Sequence, residues 1–222
     1  MTEEGRQVVQ CFRAVSAYGK EIEALCETLN ARLTQEIDNL KDELPCKVAG
    51  QFMKSSREDE WDWIFTDVAY SLPLMDKAFR KKRAEMYLGY QISLTGDGMS
   101  FDGNEEPLLH VCFWDIEIGF GDEGVHMAYP VDQEHQPRLK DNRLILWEGS
   151  GADWKKYQWT FSLRLLELKT SQDLHDRVIK PAIALLSGVD VRTALPDDLA
   201  GLVIYPDESV LNPAVQESAA VE

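Results

Sequence analysis

Residues 157–188 read YQWTFSLRLLELKTSQDLHDRVIKPAIALLSG, and the apolar period of this stretch changes once, in its middle. Trp159, Phe161, Leu163 and Leu165 alternate with Thr160, Ser162 and Arg164, the period of two shown by a strand that buries one face. Thr170, Ser171 and Asp173 then give a Thr-x-x-Asp helix start. Leu174, Val178, Ile179, Ala182, Leu185 and Leu186 follow helical spacing as far as Gly188, which is placed to end the helix. A strand therefore runs straight into a helix. Pro181 removes an N–H from that helix and predicts a kink after its second turn, letting it bend over a twisted sheet.

Working toward the N-terminus, residues 143–147 (RLILW) have strand character, and Gly149-Ser150-Gly151 turns them back onto the strand at Tyr157. Residues 87–95 (YLGYQISLT) and 108–120 (LLHVCFWDIEIGF) are rich in β-branched and aromatic residues and predict a second hairpin across an acidic loop at 96–107. Trp61, Trp63 and Phe65 alternate with Asp62, Ile64 and Thr66, which predicts a first strand running to about Tyr70 and stopped by Pro73. Residues 46–60 read as a polar connection, and 121–142 as a long excursion with a short ordered element around 127–131. Beyond Gly188, Leu202 to Tyr205 predict an edge strand.

From residue 3 to 44 no proline interrupts a helical composition in which Phe12, Val15, Ile22, Cys26, Leu29, Leu33, Ile37 and Leu40 recur at steps of three, four or seven. This is a long amphipathic helix, or two in succession with Gly19 as the break, and Pro45 ends the region. Its apolar stripe suits either a seam between two copies or packing across the chain's own sheet. The expected class is α+β: an antiparallel sheet of about five strands packed by the N-terminal helical region and the helix at 171–187. The expected organisation is a helical region at 1–45, an α+β domain at 46–208 and a flexible tail at 209–222.

At 222 residues and 44% apolar content the chain is long enough for one substantial core. Its 23 Lys and Arg against 39 Asp and Glu give a net charge of -16, which opposes direct binding to nucleic acid or anionic membrane and favours a basic protein partner. Cys11, Cys26, Cys46 and Cys112 form no CxxC or dense framework, and MTEEGRQ does not read as a secretory signal, so the cytoplasm is the expected compartment. No apolar run approaches the roughly 20 residues that span a bilayer. The one basic cluster, Lys77, Arg80, Lys81, Lys82 and Arg83, works against the field of the whole chain and reads as a solvated segment.

The sharpest catalytic spacing is Glu167-Leu168-Lys169 at the end of one strand, with Asp115 or Glu117 on another. Carboxylates on neighbouring strands can hold Mg²⁺ while a lysine stabilises charge or positions water for phosphodiester hydrolysis. At motif level this resembles the PD-(D/E)XK nuclease pattern, which implies a metal-dependent nuclease using Asp115, Glu117, Glu167 and Lys169. No Pro-Asp precedes the ExK strand as that pattern requires, and the acidic loop at 96–107 lacks calcium-loop spacing. His110 and Cys112 share a strand face without a second ligand pair and read as buried residues. Trp61, Trp63, Trp114, Trp147, Trp154 and Trp159 read chiefly as core; lining one concave face, they would instead make the pocket of a small-ligand sensor. The leading reading is a cytoplasmic, non-catalytic binding or inhibitor protein of the immunity or antagonist kind. It needs no cofactor, engages a basic partner, and forms a homodimer through the N-terminal helices.

Overall fold

The computed structural model describes residues 2–78, 83–101, 103–131, 136–149, 153–206 and 211. Its first element is one helix, α1 (Glu3–Asn39), capped by Thr2, whose Oγ1 accepts the Gly5 N–H at 3.2 Å. Glu3 and Glu4 occupy the first turn, where the helix dipole favours acids. Gly19 lies inside α1 and does not break it. One glycine costs about 1 kcal/mol in a helix interior, too little to end a segment whose neighbours all favour helix.

Among the described residues eight strands follow: β1 (Cys46–Val48), β2 (Met53–Glu58), β3 (Phe65–Asp76), β4 (Met86–Ser93), β5 (Leu108–Trp114), β6 (Arg138–Lys140), β7 (Leu144–Glu148) and β8 (Tyr157–Arg164). They form one antiparallel sheet in the order β1-β3-β4-β5-β8-β7-β6, with β2 also on the outer side of β3. The α+β class is the expected one, and both expected hairpins, β4–β5 and β7–β8, are present. The strand count exceeds the expected five because β2 (MKSSRE) and β6 (RLK) contain no fully buried residue and so show no apolar alternation; pairing with β3 and β7 holds them. The three-residue β1 is too short to show a period.

The first predicted strand is displaced. β3 begins at Phe65, leaving Trp61 and Trp63 ahead of it, and runs through Pro73 to Asp76. Pro73 sits where the outer neighbour changes from β1, paired at Leu74 to Asp76, to β2, which pairs only as far as Ser71. Its carbonyl accepts the Ala49 N–H at 2.8 Å, and the missing donor falls in the gap between two partners. β5 likewise ends at Trp114, so Asp115 and Glu117 lie beyond the strand and not on it.

At the strand-to-helix junction, Thr170 Oγ1 accepts the Asp173 N–H at 3.1 Å, while Asp173 Oδ2 accepts the Thr170 hydroxyl and the Lys169 N–H. From there α2 (Ser171–Asp173), a π-helical stretch (Leu174–Ile179) and α3 (Lys180–Leu186) make one continuous rod. The wider π turn stands directly before Pro181, the residue without an N–H. Gly188, at φ +80°, closes the rod: its N–H reaches Leu185 and that of Val189 reaches Ala184. A short α4 (Val191–Ala194) follows.

One sheet face, with Val68, Leu72, Leu88, Val111, Phe113 and Phe161, packs under the rod and under Cys26, Leu29, Leu33 and Ile37 of α1. The Tyr90 hydroxyl, 3.1 Å from the Cys26 carbonyl and 2.9 Å from the Asn30 side chain, ties α1 to β4. The other face is closed by irregular chain carrying Phe101, Ile118, Met127, Tyr129, Val203 and Tyr205. Residues 127–131 are largely buried there without forming a strand, and the expected edge strand at Leu202 is a single bridge to Leu163. Arg80, Lys81 and Lys82 of the basic cluster, and the expected tail apart from Leu211, lie outside the described residues. Among the described residues no helix is long and apolar enough to cross a membrane.

Candidate functional site

The four residues of the ExK reading are not brought together. Asp115 sits at the β8-starting end of the β5–β8 ladder, where its N–H reaches the Gln158 side chain at 3.2 Å. Glu167 follows the other end, in a 3₁₀ turn (Leu165–Glu167) that begins with the Leu165 N–H on the Pro107 carbonyl. Between the two ends the register runs from Leu108↔Arg164 to Phe113↔Trp159. Those five steps cover about 17 Å at ~3.4 Å per residue, a gap that no single ion bound at roughly 2.0–2.6 Å can bridge. Glu167 instead faces Lys169 at 3.9 Å and Arg177 at 4.0 Å, and its carbonyl accepts from Arg177 at 2.7 Å. These contacts brace the turn against the start of the rod. Among the described residues no group of three or more His, Cys, Asp or Glu side chains is gathered as a metal site requires.

His110 and Cys112 are buried in β5. His110 Nδ1 lies 2.7 Å from Ser162 Oγ and Nε2 lies 2.6 Å from the Gly98 carbonyl; Ser162 Oγ is 2.7 Å from the Tyr205 hydroxyl, itself 2.8 Å from that of Tyr129. Burial pulls the His110 pKa down to about 4 and pushes the Cys112 thiol up to about 12. Beside this chain, buried Asp67 accepts Nε and Nη2 of Arg57 at 2.9 and 2.7 Å, and Gln91 grips Met127 through both halves of its amide. Both networks fasten irregular chain onto the sheet.

An accessible surface forms where β2 turns into β3. Asp59 Oδ1 accepts the N–H groups of Trp63 at 2.6 Å and Ile64 at 3.1 Å, and Asp59 N–H reaches the Ile64 carbonyl at 2.9 Å. Asp62 takes a left-handed φ of +56°, a conformation that a short polar side chain tolerates. The turn so fixed holds Trp61 and Trp63 in solvent, 71% and 72% exposed, among the carboxylates of Glu58, Asp59, Glu60 and Asp62. Ile64 and Phe65 continue the exposed apolar surface.

The first half of α1 adjoins it. Every residue from 3 to 21 except Gly5 is exposed, including Val8, Phe12, Val15 and Tyr18. Phe12 and Trp63 stand 6.1 Å apart by ring centroid, so the free helix and the turn form one apolar surface. The remaining tryptophans divide between the two cores: Trp154 and Trp159 with the helix-covered face, Trp114 and Trp147 with the other. They line no common surface.

Trp61 and Trp63 are the residues that periodicity misplaces, because alternation with Asp62 and Ile64 imitates a strand. The signal against it is the run of four acids in the five positions 58–62, a charge density that favours a loop over a strand. No family model, curated protein or solved structure matches this chain.

Proposed function

We propose that this chain is a cytoplasmic, non-catalytic binding or inhibitor protein of the immunity or antagonist kind, acting through protein–protein contacts on a basic partner. The observation that supports this reading best is the β2–β3 turn, with Trp61 and Trp63 exposed among four carboxylates on a chain of net charge -16. Tryptophan is enriched among the few residues that carry binding energy, and exposed aromatic clusters on soluble proteins mark contact sites. The carboxylates steer a basic partner in and reject acidic ones, and the hydrogen-bonded turn leaves little ordering to be lost on binding. Self-association through the N-terminal helix belongs to the same reading.

The test is capture from the native host's lysate by the full chain and by Trp61→Ala. The native chain retains a basic protein at low salt and releases it at high salt, and Trp61→Ala weakens the complex by about 30-fold, the effect of losing a residue worth ~2 kcal/mol. Binding indifferent both to salt and to Trp61 would count against the proposal.

A further inference from the structure

Leu94 N–H reaches the Thr66 carbonyl on one side of β3, and Ala49 N–H reaches the Pro73 carbonyl on the other. Even-numbered residues of β3 therefore bond β4, and odd-numbered ones bond outward, so Asp67, Ala69 and Ser71 take the backbone bonds of Arg57, Ser55 and Met53. Lys54 and Ser56 alternate with these. Their N–H and C=O groups turn away from the sheet, where nothing among the described residues bonds them. Such a row of unpaired groups is a template for one more strand. We infer that the basic partner adds an extended segment along β2, antiparallel to it, with its leading basic residues at the β2–β3 turn. The inference rests on the proposed binding of a basic protein and assigns the way in which that protein is held.

Charge chooses this edge and its occupant. At the far edge β6 is three residues long and carries exposed Arg138 and Lys140, which repel a basic segment. β1 is as short and brings Lys47 up to Lys77. β2 offers six residues, and its own cations are turned off the edge. Lys54 Nζ lies over the rings of Phe65 and Tyr70, 5.7 and 5.9 Å from their centroids, and Arg57 is held by buried Asp67. Glu23 and Glu27 of α1 also act on Tyr70, beside Lys54. What remains along the edge is acidic: Glu58, Asp59, Glu60 and Asp62 at its turn end. That charge selects a basic segment over a second copy of a chain of -16.

The sheet gives the direction. Its strand pairs are all antiparallel, and antiparallel pairing is the more stable per residue. β2 runs toward the turn, so an antiparallel segment starts beside the four carboxylates and leaves toward Met53, whose exposed side chain offers an apolar contact at the far end. Basic residues followed by an alternating apolar stretch are the sequence that fits.

Amide exchange on the full, isotope-labelled chain tests this with a blocked peptide of two lysines followed by alternating valine and threonine. At saturating peptide the Lys54 and Ser56 amides should exchange at least about tenfold more slowly, while that of Ser55, already bonded to β3, changes by less than about twofold. Ser56→Pro removes an outward N–H and leaves the bonds to β3; it should weaken peptide binding at least about tenfold, and Ser56→Thr by less than about twofold. A peptide that does not bind at about 1 mM, or that binds without slowing both amides, overturns the inference. So does equal binding of a peptide with its lysines last, or slow exchange of both amides in the chain alone, which would mark a second copy on the edge. The functional reading fails separately. It falls if the native chain captures no basic protein in a salt- and Trp61-dependent way, whereas capture that survives Ser56→Pro overturns only the added strand.

Discussion

The Gly98 carbonyl can only accept, so His110 Nε2, 2.6 Å away, carries a proton. Burial keeps the imidazole neutral, which leaves Nδ1 an acceptor and makes Ser162 its donor. Ser162 Oγ must then receive the Tyr205 hydroxyl, and Tyr205 in turn that of Tyr129. The whole chain points one way, and its members are unequal. Ser162→Ala strands both His110 Nδ1 and the Tyr205 hydroxyl in a buried site and should cost about 2–4 kcal/mol in urea unfolding; Tyr129→Phe removes only the last donor and should cost about 1 kcal/mol. The same histidine makes stability fall with acid. Between its ordinary value near 6.5 and the native value of about 4, the unfolded chain binds a proton that the fold refuses. Stability from this group is therefore complete above pH 6.5 and declines as pH drops, by about 2 kcal/mol at pH 5. His126, also lowered by burial and by Arg57, acts in the same direction. Urea midpoints at pH 7 and pH 5 check this, with His110→Gln showing a shallower slope. Sequence suggests that His110 is buried. It does not reveal the chain of hydroxyls, whose members come from residues 110, 129, 162 and 205 and meet only through sheet register and loop closure.

Element boundaries were legible wherever a local signal and a buried face coincide. The rod from Ser171 to Leu186 starts at Thr170 and stops at Gly188 as its sequence predicts, because caps act within a few residues and need no tertiary context. Thr170→Ala should therefore cost about 1 kcal/mol, and Gly188→Ala, which forces a Cβ into φ +80°, about 1–2 kcal/mol, both read from unfolding midpoints. Edge strands carry no such signal. Nothing in MKSSRE distinguishes β2 from a loop except the neighbour it pairs with. α1 shows the opposite limit: its apolar spacing runs through both halves, so periodicity finds the helix but cannot say that only the half from Ile22 onward packs against the core. The candidate site lies in that blind region, formed by an exposed helix half that meets the turn through Phe12 and Trp63, and by tryptophans whose alternation imitates a strand.

A net charge of -16 acts on the proposed contact over a range that salt sets. A basic partner approaching Glu58, Asp59, Glu60 and Asp62 is drawn by charges within a few ångströms of its own, so screening weakens that complex steadily as salt rises. Affinity for the basic partner should accordingly fall by more than about tenfold between ~0.1 and ~1 M sodium chloride, as the Debye length shrinks from about 10 to about 3 Å. Sedimentation velocity of the captured complex across that series measures it, and an affinity that holds within about threefold would mean that the four carboxylates of the turn do not steer the partner.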